Sequence, residues 1–188
     1  MEEFLLFFMS VFVLFISINK INKNNKIKNV RSTIDNSFYP VRKLPDAREA
    51  ANKLAIINRK VLQLINILDR DKDGVHRLIK NYNPNTLSET IEGAKYTSYS
   101  LNKGEKISIC IRHENNSFID ENTVMFVVIH ELSHVMTKEI GHPPIFWRNM
   151  KYLLEEAEKL NIYRPVNYVK YPENYCGMII NTTPYDFK

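Results

Sequence analysis

Apolar positions along the chain fall into several distinct patterns, each predicting a different element. Phe4 to Ile18 is an almost unbroken run of Phe, Leu, Val, Ile and Met, interrupted only by Ser10 and Ser17. Residues 20–44 are rich in Asn, Lys and Ser with little apolar content, a composition that reads as a flexible tether. From Ala47 to about Leu68 apolar residues return at helical spacing, with Asp46 placed as the N-cap. Residues 95–112 alternate polar and apolar around Asn102-Lys103-Gly104, which predicts two strands joined by a tight turn. A further helix is predicted through Val124, Met125, Phe126, Val127, Val128 and Ile129. A last one carries Phe146, Trp147, Met150, Leu153, Leu154 and Ala157 on one face. Between these two, Gly141 reads as the residue that ends the first helix with a left-handed backbone, and Pro143-Pro144 suit the first turn of the second. Long helices interleaved with a short strand pair predict an α+β domain.

The N-terminal run divides the chain. At about 1.5 Å per residue, its fifteen residues reach only roughly 22 Å, against a hydrocarbon core of about 30 Å. Ile21 and snorkelling lysines can make up the difference. The rival reading is a cleaved signal peptide. Against it, the chain leads with Glu2 and Glu3, and no small-x-small cleavage site follows. Lys20, Lys23, Lys26, Lys28 and Arg31 flank the run, and the positive-inside bias keeps that side in the cytosol. The expected organisation is a single transmembrane anchor over residues 1–21, a polar basic linker over 22–45 and one domain over 46–188, facing the cytosol.

Charge adds little beyond that. The chain is formally +5, and residues 1–31, with five basic and two acidic groups, supply +3 of it. No basic stripe with interleaved aromatics remains to suggest a nucleic-acid surface. The juxtamembrane lysines suit anionic lipid headgroups instead. Cys110 and Cys176 lie far apart and outside any C-x-x-C motif, so in a reducing cytosol they are expected as free thiols. A secreted chain could pair them, and would expose the glycosylation triplets at Asn115 and Asn181.

The chemistry concentrates in His130-Glu131-Leu132-Ser133-His134, an H-E-x-x-H pattern inside the helix predicted through residues 124–129. Residues four apart on a helix lie one above the other, so His130 and His134 can grip one ion. Glu131 is placed to act as general base toward a water that the ion activates. Zinc fits imidazole donors and can bring a water's pKa to about 7. A zinc hydrolase needs a third protein ligand and an open fourth position. His142, just after the Gly141 turn, is the first candidate, and Glu155 or Glu156 on the following helix is its rival.

Other signals are weaker. Asp69-x-Asp71-x-Asp73-Gly74 resembles the start of a calcium loop, but its twelfth position is Lys80, so a solvated turn is expected. His76 and His113 read as surface residues. Ser133 and Thr137 lack a base and its orienting partner, which argues against a serine-type mechanism. Tyr163, Tyr168 and Tyr175 follow the last helix; packing is their expected role, with oxyanion stabilisation the alternative.

Taken together, the stretch from Ala47 to Leu160 resembles the WLM family of metalloproteases, relatives of the SprT-like (Spartan) proteases. The likeness rests on the long helix from Ala50, on the run Leu101-Asn102-Lys103-Gly104 through Arg112, and on the H-E-x-x-H followed by a histidine and an aromatic. The tail Tyr175-Cys176-Gly177-Met178 adds a likeness to uncharacterised proteins of this kind from large DNA viruses. The resemblance implies a zincin-like fold, one zinc per chain on His130, His134 and His142, and Glu131 as the catalytic residue. One departure is the spacing, since seven residues separate His134 from His142, more than in the family pattern. The expected function is a membrane-anchored zinc metallopeptidase acting on a protein or peptide; DNA-crosslinked substrates follow only from the family. The alternative is an inactive zinc-binding interaction module anchored at a membrane.

Overall fold

The computed structural model describes residues 26–94 and 96–187, so the predicted anchor over residues 1–21 lies outside the described residues. The fold is mixed α+β. It opens with an antiparallel hairpin, β1 (Ile27–Arg31) and β2 (Phe38–Arg42), followed by the long helix α1 (Ala47–Ile67) and the short α2 (Val75–Asn81). A small sheet follows, built from β3 (Ser88–Glu89), β4 (Tyr99–Leu101) and β5 (Lys106–Ile109). Two further helices, α3 (Glu121–Met136) and α4 (Pro144–Lys159), precede a C-terminal hairpin of β6 (Glu173–Tyr175) and β7 (Met178–Ile180).

Helix α3 is the centre of the molecule. Val124, Met125, Val128, Ile129, Leu132, Val135 and Met136 are all buried, so it is apolar nearly all round, as a helix enclosed by other elements must be. Its start is set by Asp120, whose Oδ1 accepts the amides of Asn122 (2.9 Å) and Thr123 (3.4 Å). α4 packs against it through Phe146, Met150, Leu153, Leu154 and Ala157, as the spacing predicts. α1 buries Ala50, Ala51, Leu54, Ile57, Val61 and Leu64 on its inner face.

The predicted strand pair is present. β4 and β5 are antiparallel with Leu101 opposite Lys106, and the turn between them holds Asn102, Lys103 and Gly104 at positive φ of 46, 56 and 111°. Only glycine fits the third place. A Cβ on Gly104 would lie 2.8 Å from the Asn81 carbonyl oxygen and 3.0 Å from Val135. The sheet order is β3-β5-β4, so that among the described residues β4 is an edge strand. The Asp69–Gly74 stretch is an exposed turn leading into α2, as expected for a solvated loop.

Four expectations require correction. Residues 27–42, read as part of a flexible linker over 22–45, form the β1–β2 hairpin, with Tyr39 and Val41 buried against α1. Two inward side chains and the Tyr39 hydroxyl, bonded to Asp35 (2.6 Å) and Asn58 (3.0 Å), suffice to dock a segment whose composition is otherwise polar. Asp46 precedes α1 but makes no capping bond. Its carboxylate instead takes both terminal nitrogens of Arg112, at 2.7 and 2.8 Å. Gly141 does not end α3, which stops at Met136. Its left-handed backbone (φ 82°) serves the loop that carries His142. Finally, Cys110 and Cys176 are joined in a disulfide. The C-terminal hairpin folds back onto the end of β5, a contact between residues 66 apart that no local pattern announces.

Candidate metal centre

Helix geometry brings His130 and His134 to one face of α3, with Nε2 atoms 3.2 Å apart. The loop after α3 then returns His142, whose Nε2 lies 3.1 Å from that of His130. The extra length of this loop does not prevent the third imidazole from arriving. Two imidazole nitrogens this close need a proton or a cation between them. Ligand atoms on a tetrahedral ion with bonds of 2.0–2.1 Å sit about 3.3 Å apart. The His130–His134 and His130–His142 separations therefore match edges of such a tetrahedron, and all three ligand atoms lie within 4.8 Å of one another. They form the His/Cys/Asp/Glu group able to hold a metal among the described residues.

Electrostatics keeps the lone pairs available. Burial first, then the neighbouring His134 and His142, push the His130 imidazole down to about 3. Burial, His142 and the Lys103 cation push His134 down to about 4. Both rings are thus neutral donors at ordinary pH. Phe146 fixes the set from below. Its ring is buried, and its centroid lies 4.9, 4.5 and 4.6 Å from those of His130, His134 and His142. Trp147 flanks His142 at 5.8 Å.

Glu131 is 6% exposed and lines the same cleft as the histidines. Burial pushes its carboxyl up to about 7, partly offset by the Ser100 amide of β4. A carboxylate poised in that range can both take and return a proton.

Lys103 is a site residue that the sequence reading passed over. From the β4–β5 turn its ammonium donates to the carbonyl oxygens of His134 (3.2 Å), Thr137 (2.9 Å) and Glu139 (2.9 Å). It thereby takes up carbonyls left open where α3 ends, and ties down the start of the His142 loop. The Asn-Lys-Gly turn was visible in the sequence; its partner 31–36 residues away was not.

The remaining candidates fall outside the centre. Glu155 is exposed, and Glu156 is engaged by Lys159 at 2.6 Å, so neither rival joins the three histidines. The Ser133 hydroxyl donates back to the Ile129 carbonyl (2.7 Å), and that of Thr137 accepts from Asn149 (2.9 Å). His76 is exposed and His113 half-buried. Tyr163 and Tyr168 pack beside Phe126, at ring separations of 6.1 and 4.6 Å. Tyr175 reaches the cleft wall, but its hydroxyl donates to the Cys110 carbonyl (2.6 Å).

Comparison with known proteins bears on the family and the fold. A family model described as the WLM domain matches residues 33–171. The chain is 34% identical over 160 residues to uncharacterised protein R325 of Acanthamoeba polyphaga mimivirus, covering 81% of each. It is 26% identical over 163 residues to uncharacterised protein 136R of Invertebrate iridescent virus 6, covering 85% of this chain and 89% of that one. Among solved structures, Wss1 from Saccharomyces cerevisiae has a TM-score of 0.52 at 19% identity, over 64% of this chain and 87% of that one. That last likeness is one of fold.

Proposed function

The chain belongs to the WLM family, a family of zinc metalloproteases, and on that premise we propose that it is itself a zinc-dependent metallopeptidase. The observation that carries the reading is the convergence of His130, His134 and His142 nitrogens beside a buried carboxyl, Glu131. The three imidazoles would hold the ion. Zinc bound there would supply a Lewis acid that acidifies a water and polarises a peptide carbonyl. Glu131 removes a proton from the attacking water and hands it to the leaving amine as the C–N bond breaks. Burial of Glu131 and the rigid α3 backbone hold that carboxyl in place, and Lys103 holds the loop that brings His142.

The test is metal content with point variants. Purified full-length protein should carry about one zinc per chain, and much less would sink the reading. His142→Ala should weaken zinc binding by more than about 100-fold, the upper range for losing even a ligand's supporting partner. Glu155→Gln and Glu156→Gln should leave it unchanged. If instead either glutamate variant loses zinc and His142→Ala keeps it, the ligand set is wrong.

A different observation bears on the cellular side of the domain. The basic flank after residue 18 favours the cytosol, but a Cys110–Cys176 disulfide and exposed Asn115 and Asn181 favour an oxidising surrounding. We give the disulfide more weight, because it is a property of the folded domain. Non-reducing peptide mapping of protein from its native host should recover the Cys110–Cys176 crosslink. Alkylation of both thiols in unreduced protein would restore the cytosolic placement.

A further inference from the structure

A cleft of about 980 Å³ opens over His130, Glu131 and His134. Its walls come from distant parts of the chain. One is β4 with residues 96–98 before it, and another is β7 with Asn181 and Thr182 after it. The second wall belongs to a hairpin beyond residue 171, outside the stretch matched by the family model.

That hairpin is fastened from beneath. Cys176 is joined to Cys110. Tyr175 is 1% exposed, and its hydroxyl also meets Ser98 Oγ at 2.8 Å. Above this base the apolar side chains stay in the open: Met178 is 50% and Ile179 59% exposed, with Ile180 half-buried behind them. Three consecutive apolar residues lining a cleft beside reactive groups mark a surface that something covers. Charge narrows what that is. Among the described residues, and apart from the histidines, the charged side chains in the lining are Glu131 and Lys103, and the Lys103 ammonium is committed to three carbonyls. A charged side chain entering beside β7 would therefore find no further ionic partner among the described lining residues and would lose hydration. On the other wall, the outer edge of β4 pairs with no strand among the described residues, and such an edge is a template for an extended backbone.

We propose that the β6–β7 hairpin is the specificity wall of this cleft, and that it selects an extended polypeptide carrying a bulky apolar side chain next to the scissile bond, packed against Met178 and Ile179. The inference rests on the peptidase reading and adds the substrate class to it. Met178 and Ile179 act by contact with the substrate side chain and take no part in proton transfer.

The experiment uses the zinc-loaded full-length protein and a peptide library in which one position at a time is Leu, Phe, Asp or Lys. The wild type should prefer Leu or Phe over Asp by about 10–100-fold in kcat/KM at one position flanking the cut, as expected for filling an apolar pocket. Met178→Asp and Ile179→Asp, both at exposed positions, should bring that ratio close to one while peptides with Lys there are cleaved at least as well as before. Met178→Leu should keep the preference. A wild type with no apolar preference, or a preference untouched by both Asp variants, overturns the proposal. If the wild type binds zinc but cleaves nothing, the peptidase reading is what fails. Binding of the same peptides to the wild type, read by fluorescence anisotropy, then decides the hairpin's role. An apolar preference lost in Ile179→Asp upholds the wall, and its absence overturns it.

Discussion

Glu131→Gln should leave about one zinc per chain in place and lower peptide hydrolysis by about 10²–10⁴-fold, the range for removing a positioned general base. Glutamine has nearly the same shape, so the packing around a residue 6% exposed should persist. What it lacks is a carboxylate lone pair basic enough to take the proton. The measurement is turnover of a cleaved peptide alongside metal content for both proteins. Equal turnover would mean the base lies elsewhere. Loss of zinc in the variant would make Glu131 a ligand, contrary to the three-histidine reading. A wild type that holds zinc but turns over no substrate would favour the interaction module weighed as the alternative.

The second large effect is on stability. Arg112→Leu should cost about 3–5 kcal/mol, because it strands a buried partner. The Arg112 side chain is fully buried. Its Nε donates to Glu89 Oε1 at 2.8 Å, its two terminal nitrogens fork onto Asp46, and one of them also donates to the Asn116 carbonyl at 2.9 Å. Glu89 is equally buried and also accepts the Arg42 amide at 2.8 Å. One guanidinium thus joins β3, the start of α1 and the loop after β5, with β2 tied in through Glu89. Removing it takes away the nearer of the two cations beside the buried Glu89 carboxylate, leaving only the Arg42 Nε at 3.7 Å. Urea unfolding of the variant checks the size, and Glu89→Leu combined with Arg112→Leu should recover part of the loss. If the single variant is as stable as wild type, the cluster does not hold these elements together.

Asp46 adds a pH dependence with a definite sign. Hydrogen bonding to Arg112 lowers its pKa below the usual carboxylate value, despite some opposing desolvation. Its contribution is therefore present at neutral pH and is lost as pH falls through the lowered pKa. Its carboxylate is more than a third exposed, so the effect is modest beside the loss of the arginine.

Much of the site was legible because its chemistry is local. The four-residue spacing of His130 and His134 works on any α-helix, and the apolar run before it made that helix certain to form in a folded domain. The Asn102-Lys103-Gly104 turn and the Phe146 face were legible for the same reason: backbone geometry and helical period act within a few residues. Composition misled where few residues do the docking. Tyr39 and Val41 anchor a hairpin that otherwise reads as a polar linker.

What the sequence by itself determined is the His130–His134 pair on one helix face, Glu131 beside it, and the helices and turn that present them. The tertiary structure alone decided the rest. It brought His142, and not Glu155 or Glu156, beside His130 and His134, aimed Lys103 at the end of α3, sank Arg112 between two carboxylates, and closed Cys110 on Cys176 so that the C-terminal hairpin walls the cleft. Each of these joins groups that the intervening loops, and not the local spacing, bring together. Loop closure costs rise only slowly with length, so a sequence gives little sign of which distant partners will meet. Packing of the common core settles that.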